Sequence, residues 1–261
     1  TAVTPAKQRW TLMEGEVKDD ALRLESGTYD GQGNLVKTKG MQTIAMDFLR
    51  YVPADFNCVV AMGLTPAFDW GQLTQALEAT GGVQMVGALE MLKPMLKSVN
   101  GTIAIGCAIP SKADLEKMDD NDYSALRFMA MARLDQAGVA SMTELVSGFF
   151  KPLPVEEVST GLYKATIDDN THFYYGMVDG YFAVSSIPMK ADAANSLTQT
   201  FQGKSFAGYL SMKSLSDIVP GIDYGVNVTC EGSDDEAVFM VRPENTKLPV
   251  MAAVIKLIMA L

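Results

Sequence analysis

The sequence predicts an α+β fold, a mixed but mainly antiparallel sheet with helices packed on one face. Short apolar segments bounded by Gly, Pro, Asp or Asn recur along the chain, and many alternate apolar with polar residues as strands do. Longer segments between several of them repeat apolar residues every three or four positions, which is typical of amphipathic helices. We expect one domain over residues 1–261, within which 40–204 and 205–261 are possible sub-units.

Composition narrows the class of protein. The chain has 261 residues, of which 48% are hydrophobic and 20% charged, so it has enough apolar residues for a substantial core. Its net charge is −10, from 21 Lys and Arg against 31 Asp and Glu. This acidic balance argues against nucleic acid as a partner, because phosphate contacts need Lys and Arg. No stretch reaches the roughly 18 apolar residues of a membrane-spanning helix.

Each strand is predicted from an apolar segment and the turn residues beside it. Asp179-Gly180 is the strongest hairpin signal, because this dipeptide favours a two-residue turn. The predicted strands are residues 10–17, 22–29, 56–62, 102–109, 126–134, 162–167, 173–178, 181–185, 206–212, 224–230 and 237–242.

The helices are predicted from their apolar stripes and caps. The segment 69–99 reads as two helices separated by Gly81-Gly82, with Pro94 as a kink or break. Two antiparallel helices would make the flanking strands antiparallel, whereas one bent helix would make them parallel; we favour the first. Residues 111–123 are predicted to be a polar loop. Further helices are predicted at 44–51, 136–149, 191–201, a short segment ending at 219, and 250–259.

The order of elements suggests an internal pseudo-repeat. Strand, helix, strand, strand and helix over residues 56–149 recur in type over 206–259, with slight sequence identity. We expect the strands of both copies to lie in one continuous or closely packed sheet, since the central strands are apolar on both faces.

The search for catalytic motifs yields no catalytic residue and no cofactor. Gly203-Lys204-Ser205 matches the end of a phosphate-binding loop, but Thr198 replaces the first Gly and a strand follows instead of a helix. His172 is the single histidine, which argues against His-rich metal sites, and we expect it at the surface. Whether the chain is an enzyme is left open.

Acidic turns and cysteines receive structural interpretations. Asp119–Asp122 carries three carboxylates that could hold a hard cation, whereas Asp30–Asn34 lacks the spaced carboxylates and the closing Glu of a calcium loop. Solvated turns are the commoner explanation for both, so no metal is predicted. Cys58, Cys107 and Cys230 lie in apolar strands without paired spacing, which predicts buried free thiols. If strands 56–62 and 102–109 are antiparallel neighbours, however, Cys58 can face Cys107.

The two segments that bracket the first apolar strand carry a family resemblance. Phe48-Leu49-Arg50-Tyr51-Val52-Pro53-Ala54-Asp55 and Val99-Asn100-Gly101-Thr102-Ile103-Ala104-Ile105 resemble an uncharacterised exported family of Bacteroides-type bacteria. The similarity covers the pattern over about residues 40–220. Members are often described as lipoproteins, so the resemblance implies a cell-envelope location, periplasmic or surface-exposed, with a lipid anchor upstream of Thr1. The family has no established catalytic residues, so it implies none here.

Two functions are compatible with these observations. The first is a non-catalytic cell-envelope module that binds a partner protein or a glycan. The alternative is a glycan-active hydrolase that uses scattered Asp and Glu carboxylates. A deep pocket with two facing carboxylates would favour the hydrolase. A shallow groove or an exposed apolar patch would favour the binding module.

Aromatic candidates for sugar contact are Trp10, Trp70, Tyr174, Tyr175 and Tyr181. Tyr174 and Tyr175 point to opposite faces of a strand, so at most one of them joins the core.

Overall fold

A single twelve-stranded sheet dominates the computed structural model, which describes residues 9–18, 20–71, 96–119, 124–191, 197–213, 215–216, 219 and 221–260. The strand order is β1-β2-β12-β11-β10-β3-β4-β5-β9-β8-β7-β6. The strands are β1 Arg9–Lys18, β2 Ala21–Asp30, β3 Cys58–Leu64, β4 Val99–Ala108, β5 Arg127–Leu134, β6 Val155–Ser159, β7 Leu162–Thr166, β8 His172–Val178, β9 Tyr181–Ser185, β10 Phe206–Met212, β11 Gly225–Gly232 and β12 Glu236–Glu244.

Helices are few and short in the described part of the chain. A 3-10 helix, η1, spans Met46–Tyr51. The α-helices are α1 Lys112–Asp119, α2 Gln136–Phe150, α3 Thr198–Phe201 and α4 Val250–Ala260. Asp135 caps α2, since its side chain accepts a hydrogen bond from the Gly138 amide.

The α+β prediction is wrong, and the fold is mainly β. Every pair of neighbouring strands is antiparallel, so the sheet is not mixed. Helical segments also lie on both faces of the sheet instead of one. The physical reason is that antiparallel neighbours can be joined by tight turns, as β8 and β9 are by Asp179-Gly180, and need no crossover helix.

The strand register sorts the side chains onto two faces, because directly opposed residues of antiparallel strands point to the same side. The core face contains the largest buried cluster. There η1 and α3 cover the centre of the sheet with Phe48 and Phe201, whose rings pack edge to face at 5.6 Å. Apart from Tyr181 of β9, the sheet residues of this cluster are small or unbranched: Val59, Ala61, Ala104, Met129, Met131, Ala183 and Ala207.

The opposite face, which we call the helix face, is covered by α2 and α4. Phe150 of α2 stacks on Phe173 and Tyr175 of β8, with centroids 5.6 and 5.3 Å away. Ala253 of α4 is fully buried in a cluster that includes Val226 of β11. These two helices therefore cover opposite ends of the same face.

Strands β3 and β10 pair at the middle of the sheet, with Val60 opposite Gly208. On one side β4 and β5 follow β3, and on the other β11 and β12 follow β10. The two strand series that are similar in type in the sequence thus extend in opposite directions from a central pair. Each series is followed in the chain by a helix, α2 or α4.

Other expectations need correction. Residues 112–119 form a helix, not a polar loop, and β6 had not been predicted because all five of its residues are exposed and show no alternation. The two helices predicted within 69–99 lie mostly in 72–95, outside the described residues, but β3 and β4 are antiparallel as expected. Of the helix predicted over 191–201, residues 192–196 are also outside them, and 198–201 are helical.

Candidate functional site

A pocket lined by both polar and apolar residues lies at one end of the central strands, and we call it the junction pocket. Because neighbouring strands alternate in direction, the start of β3 meets the ends of β4 and β10 there. The pocket has a volume of about 520 Å³. The residues that line it are Ala54, Asp55, Phe56, Asn57, Ile109, Pro110, Ser111, Tyr209, Ser211, Met212 and Lys213.

Asn57 holds the three strands together beneath the pocket. Its side-chain Oδ1 accepts a hydrogen bond of 2.8 Å from the amide of Ile109, just beyond β4. Its main-chain oxygen accepts one of 2.7 Å from the amide of Ser211, in β10. These bonds fix the relative positions of the three strand ends that form the pocket.

The acidic group of the pocket is already paired. The carboxylate of Asp55 forms an ion pair with Arg127 of β5, and the Arg127 guanidinium lies 5.9 Å from the centre of the Phe56 ring. A Cβ atom at Gly106 would stand 2.9 Å from that ring, so the glycine leaves space for Phe56. Asp55 is thus a positioned hydrogen-bond acceptor whose charge is balanced.

Three polar side chains at the end of β10 are free to meet a ligand. The hydroxyls of Tyr209 and Ser211 and the ammonium of Lys213 make no hydrogen bond or ion pair to any described residue. Tyr209 and Ser211 are two apart in β10 and point to the same face, and Lys213 follows two positions later. Together they offer the pocket three donor groups, of which the two hydroxyls can also accept.

The N-terminus of α1 borders the pocket but is already capped. Ser111 donates to Oδ2 of Asp114 from its amide, at 3.1 Å, and from its hydroxyl, at 2.7 Å. The Asp114 amide donates back to the Ser111 hydroxyl at 3.3 Å. This reciprocal capping neutralises the helix end, so the pocket is not an anion site built on a helix dipole.

The helix face carries a second kind of candidate site, an apolar hollow beneath α2 of about 630 Å³. Two α2 side chains at its rim are exposed, Phe149 by 79% and Leu145 by 52%. The residues lining the hollow are Leu126, Phe128, Leu145, Val146, Phe149, Phe150, Leu153, Ile167, Phe173 and Val184.

The aromatic residues proposed for sugar contact line neither the junction pocket nor the apolar hollow. Tyr175 and Tyr181 are buried in the core, so they cannot serve as platforms; as expected, one of the Tyr174 and Tyr175 pair joins the core. Trp70 packs against Phe68 with ring centres 4.8 Å apart. Trp10 is in β1, and its side chain is not among those described.

Tyr209, Ser211 and Lys213 are not among the candidate residues predicted from the sequence. A signal was present in the alternation Tyr-x-Ser-x-Lys, which places three polar groups on one side at the end of an otherwise apolar strand.

His172, expected at the surface, is partly buried at the start of β8. Its Nδ1 is enclosed and has no hydrogen-bond partner among the described residues.

Hydrogen bonds close the acidic turn that the structure describes, Asp30–Asn34. The carboxylate of Asp30 accepts hydrogen bonds from the amides of Gln32 and Asn34, both at 2.9 Å, and from Asn34 Nδ2 at 3.1 Å. The bonds from Asn34 are the main cause of a lowered Asp30 pKa. Residues 120–123 lie outside the described part. Within that part, no cluster of three His, Cys, Asp or Glu could hold a metal ion.

Comparison of the chain with family models, with curated proteins and with solved structures finds no match. Among the helices that the structure describes, none has the length and apolar character needed to span a membrane. Any assignment of function therefore rests on the geometry of the junction pocket and of the apolar hollow.

Proposed function

We propose that this chain is a non-catalytic module of the cell envelope that binds an uncharged glycan in the junction pocket. The observation that carries the proposal is the set of free polar groups on Tyr209, Ser211 and Lys213, held in a pocket of about 520 Å³. The envelope location rests on the resemblance of residues 48–55 and 99–105 to an exported family. Fractionation of cells that express the full-length gene would test this location.

Sugar chemistry fits the groups that converge on the pocket. A sugar hydroxyl both donates and accepts, so it needs mixed partners at fixed positions, and hydroxyls, an ammonium and a carboxylate supply them. The carboxylate of Asp55 is neutralised by Arg127, which leaves the single positive charge of Lys213, and that charge is exposed to solvent and screened by it. A neutral polyol therefore fits better than a strongly charged ligand.

The same pocket supports binding over hydrolysis. Glycosidases place two carboxyl groups about 5 to 9.5 Å apart around the scissile bond. Among the described residues that line the junction pocket, Asp55 supplies the one carboxylate, and that carboxylate is already paired with Arg127. The described lining of the junction pocket contains no second carboxyl group that could complete an acid and base pair.

The proposal is tested by screening neutral oligosaccharides on an array and titrating the strongest one by calorimetry. Tyr209→Phe, Ser211→Ala and Lys213→Ala should each weaken binding about 5- to 50-fold, the loss of one or two hydrogen bonds. Lys247→Ala, which removes an exposed lysine outside the pocket, should leave the affinity unchanged. Release of reducing sugar from the bound oligosaccharide would overturn the non-catalytic assignment. Binding that survives all three pocket changes would overturn the site.

A partner protein is the second candidate, and a different observation favours it. The exposed Phe149 and Leu145 beside the apolar hollow form a surface that suits an apolar segment of another protein. The chain's charge of −10 would favour a segment flanked by Lys or Arg. Cross-linking in cells should then capture a basic partner with the native chain and lose it with Phe149→Asp. Capture by both forms would reject this surface.

A further inference from the structure

Three cysteines from distant parts of the sequence lie on the helix face, and two of them are direct neighbours. Cys58 of β3 and Cys107 of β4 are directly opposed in the strand register. Cys230 of β11 is opposed to Gly208 of β10, and its Sγ lies 2.6 Å from where a Cβ of residue 208 would stand. The absence of a side chain at Gly208 thus leaves space for the third thiol.

The thiols are only partly buried, contrary to the expectation that they are core residues. Two neighbours on the same face, Val60 and Ile105, are exposed by 38% and 56%. A small reagent therefore has access to this part of the sheet. Burial, with the nearby thiols of Cys107 and Cys230, raises the pKa of Cys58 to about 11.

We propose that Cys58 and Cys107 are a dithiol that a disulfide oxidant converts to a cross-strand disulfide between β3 and β4. Directly opposed residues of antiparallel strands have Cα atoms about 4.5 to 5.5 Å apart. This separation lies within the roughly 4.4 to 6.8 Å that a disulfide spans, so the backbone need not move. In the reaction the two thiols lose two protons and two electrons, and the oxidant's disulfide is reduced to two thiols.

Cys230 is excluded from the bridge by the spacing of the strands. Strand β10 lies between β11 and β3, and Cys230 is in the row of Gly208 and Val60, two residues along the strands from Cys58. Cys230 is therefore more than two strand spacings, or about 10 Å, from Cys58 and more than three, or about 14 Å, from Cys107. Both separations exceed the reach of a disulfide, and Cys230 therefore stays a free thiol.

The reaction rate should follow the protonation of the thiols. The raised pKa of Cys58 keeps it protonated at neutral pH, and only a thiolate attacks a disulfide. Oxidation should therefore be slow near pH 7 and faster toward pH 9. The product closes a loop of about 50 residues and should be more stable than the dithiol, by the loss of chain entropy in the unfolded state.

The experiment equilibrates the purified chain with oxidised and reduced glutathione at several ratios, then blocks thiols in denaturant and measures intact mass and cross-linked peptides. We expect one remaining thiol under oxidising conditions and a peptide that joins Cys58 to Cys107. The melting temperature should rise by several degrees and return after dithiothreitol. Cys230→Ala should form the same bridge, and Cys107→Ala should form none.

Three outcomes would overturn the inference. The first is three free thiols at every glutathione ratio, and the second is a bridge that includes Cys230. The third is glutathione adducts on the cysteines without an internal bridge. Because the wild-type chain supplies the decisive measurement, a variant that fails to fold does not affect the result. The test is independent of glycan binding, which involves other residues.

Discussion

The hydroxyl of Tyr181 donates a hydrogen bond of 2.6 Å to Oδ1 of Asp47. Tyr181 is fully buried in β9, and Asp47 lies in η1, 134 residues earlier in the chain. Arg133 of β5 pairs with the other oxygen of the Asp47 carboxylate, and its guanidinium lies 4.7 Å from the centre of the Tyr181 ring. This group of three side chains attaches η1 to the core face of the sheet.

Tyr181→Phe should destabilise the fold by about 1 to 3 kcal/mol, because it removes a hydrogen bond to a charged group and leaves the ring in place. Urea unfolding followed by circular dichroism measures the change. Tyr174→Phe is the matched control, since the Tyr174 hydroxyl has no partner among the described residues and its loss should have little effect. Equal effects of the two changes would show that the bond to Asp47 contributes nothing.

Stability at alkaline pH should depend on Tyr181. Burial, then the nearby Asp47, raises the pKa of Tyr181 above its ordinary value of about 10. The unfolded tyrosine therefore loses its proton at lower pH than the folded one. The resulting stabilisation is fully present below pH 10 and is lost as the pH rises above 10. Urea midpoints between pH 9 and 11 should fall more steeply for the native chain than for Tyr181→Phe.

Alanine substitution of two glycines of α2 should change the free energy of unfolding in opposite directions. Gly148 has no atom within 4 Å of its would-be Cβ, so Gly148→Ala should stabilise the chain by about 0.5 to 1 kcal/mol through helix propensity. A Cβ at Gly138 would overlap the Cβ of Ser98, so Gly138→Ala should destabilise it by about 1 to 3 kcal/mol. Urea unfolding of the pair tests how closely α2 packs at its N-terminal end.

Removal of residues 206–261 should leave the remainder aggregated or molten. The deleted segment contains β10, β11 and β12, which lie between β2 and β3 in the sheet. Without them the β1–β2 hairpin loses its other neighbour, and the paired edge of β3 is exposed. A sharp melting transition of the remaining residues 1–205 as a soluble monomer would instead show that the chain contains two independent domains.

Removal of divalent cations by a chelator should not change the thermal stability of the chain. The Asp30 carboxylate is occupied by hydrogen bonds from Gln32 and Asn34, which close the turn without a cation. Melting temperatures with EDTA and with added calcium should therefore agree. A lower melting temperature with EDTA that added calcium restores would place a cation in an acidic turn. Loss of this effect in Asp30→Asn would identify the turn as Asp30–Asn34.

The sequence by itself determined most of the strands and one hairpin turn. Alternation identified strands such as β5 and β11, because each has one apolar side whichever strand lies beside it. Asp179-Gly180 identified its turn because both residues adopt positive φ, 47° and 81°, which these residue types tolerate. Strand β6 was missed because it buries neither side.

The tertiary structure decided which strands are neighbours, and the candidate site depends on that choice. Alternation shows which residues share a face of a strand, but every strand has two edges that can pair with any partner. The pairing of β3 with β10, about 150 residues later in the chain, is set by the packing of the whole sheet. Only this pairing brings Asp55, Asn57 and Tyr209 into one pocket. The pairing of β3 with β4 likewise determined that Cys58 faces Cys107, because hydrogen bonds along the strands fix the register residue by residue.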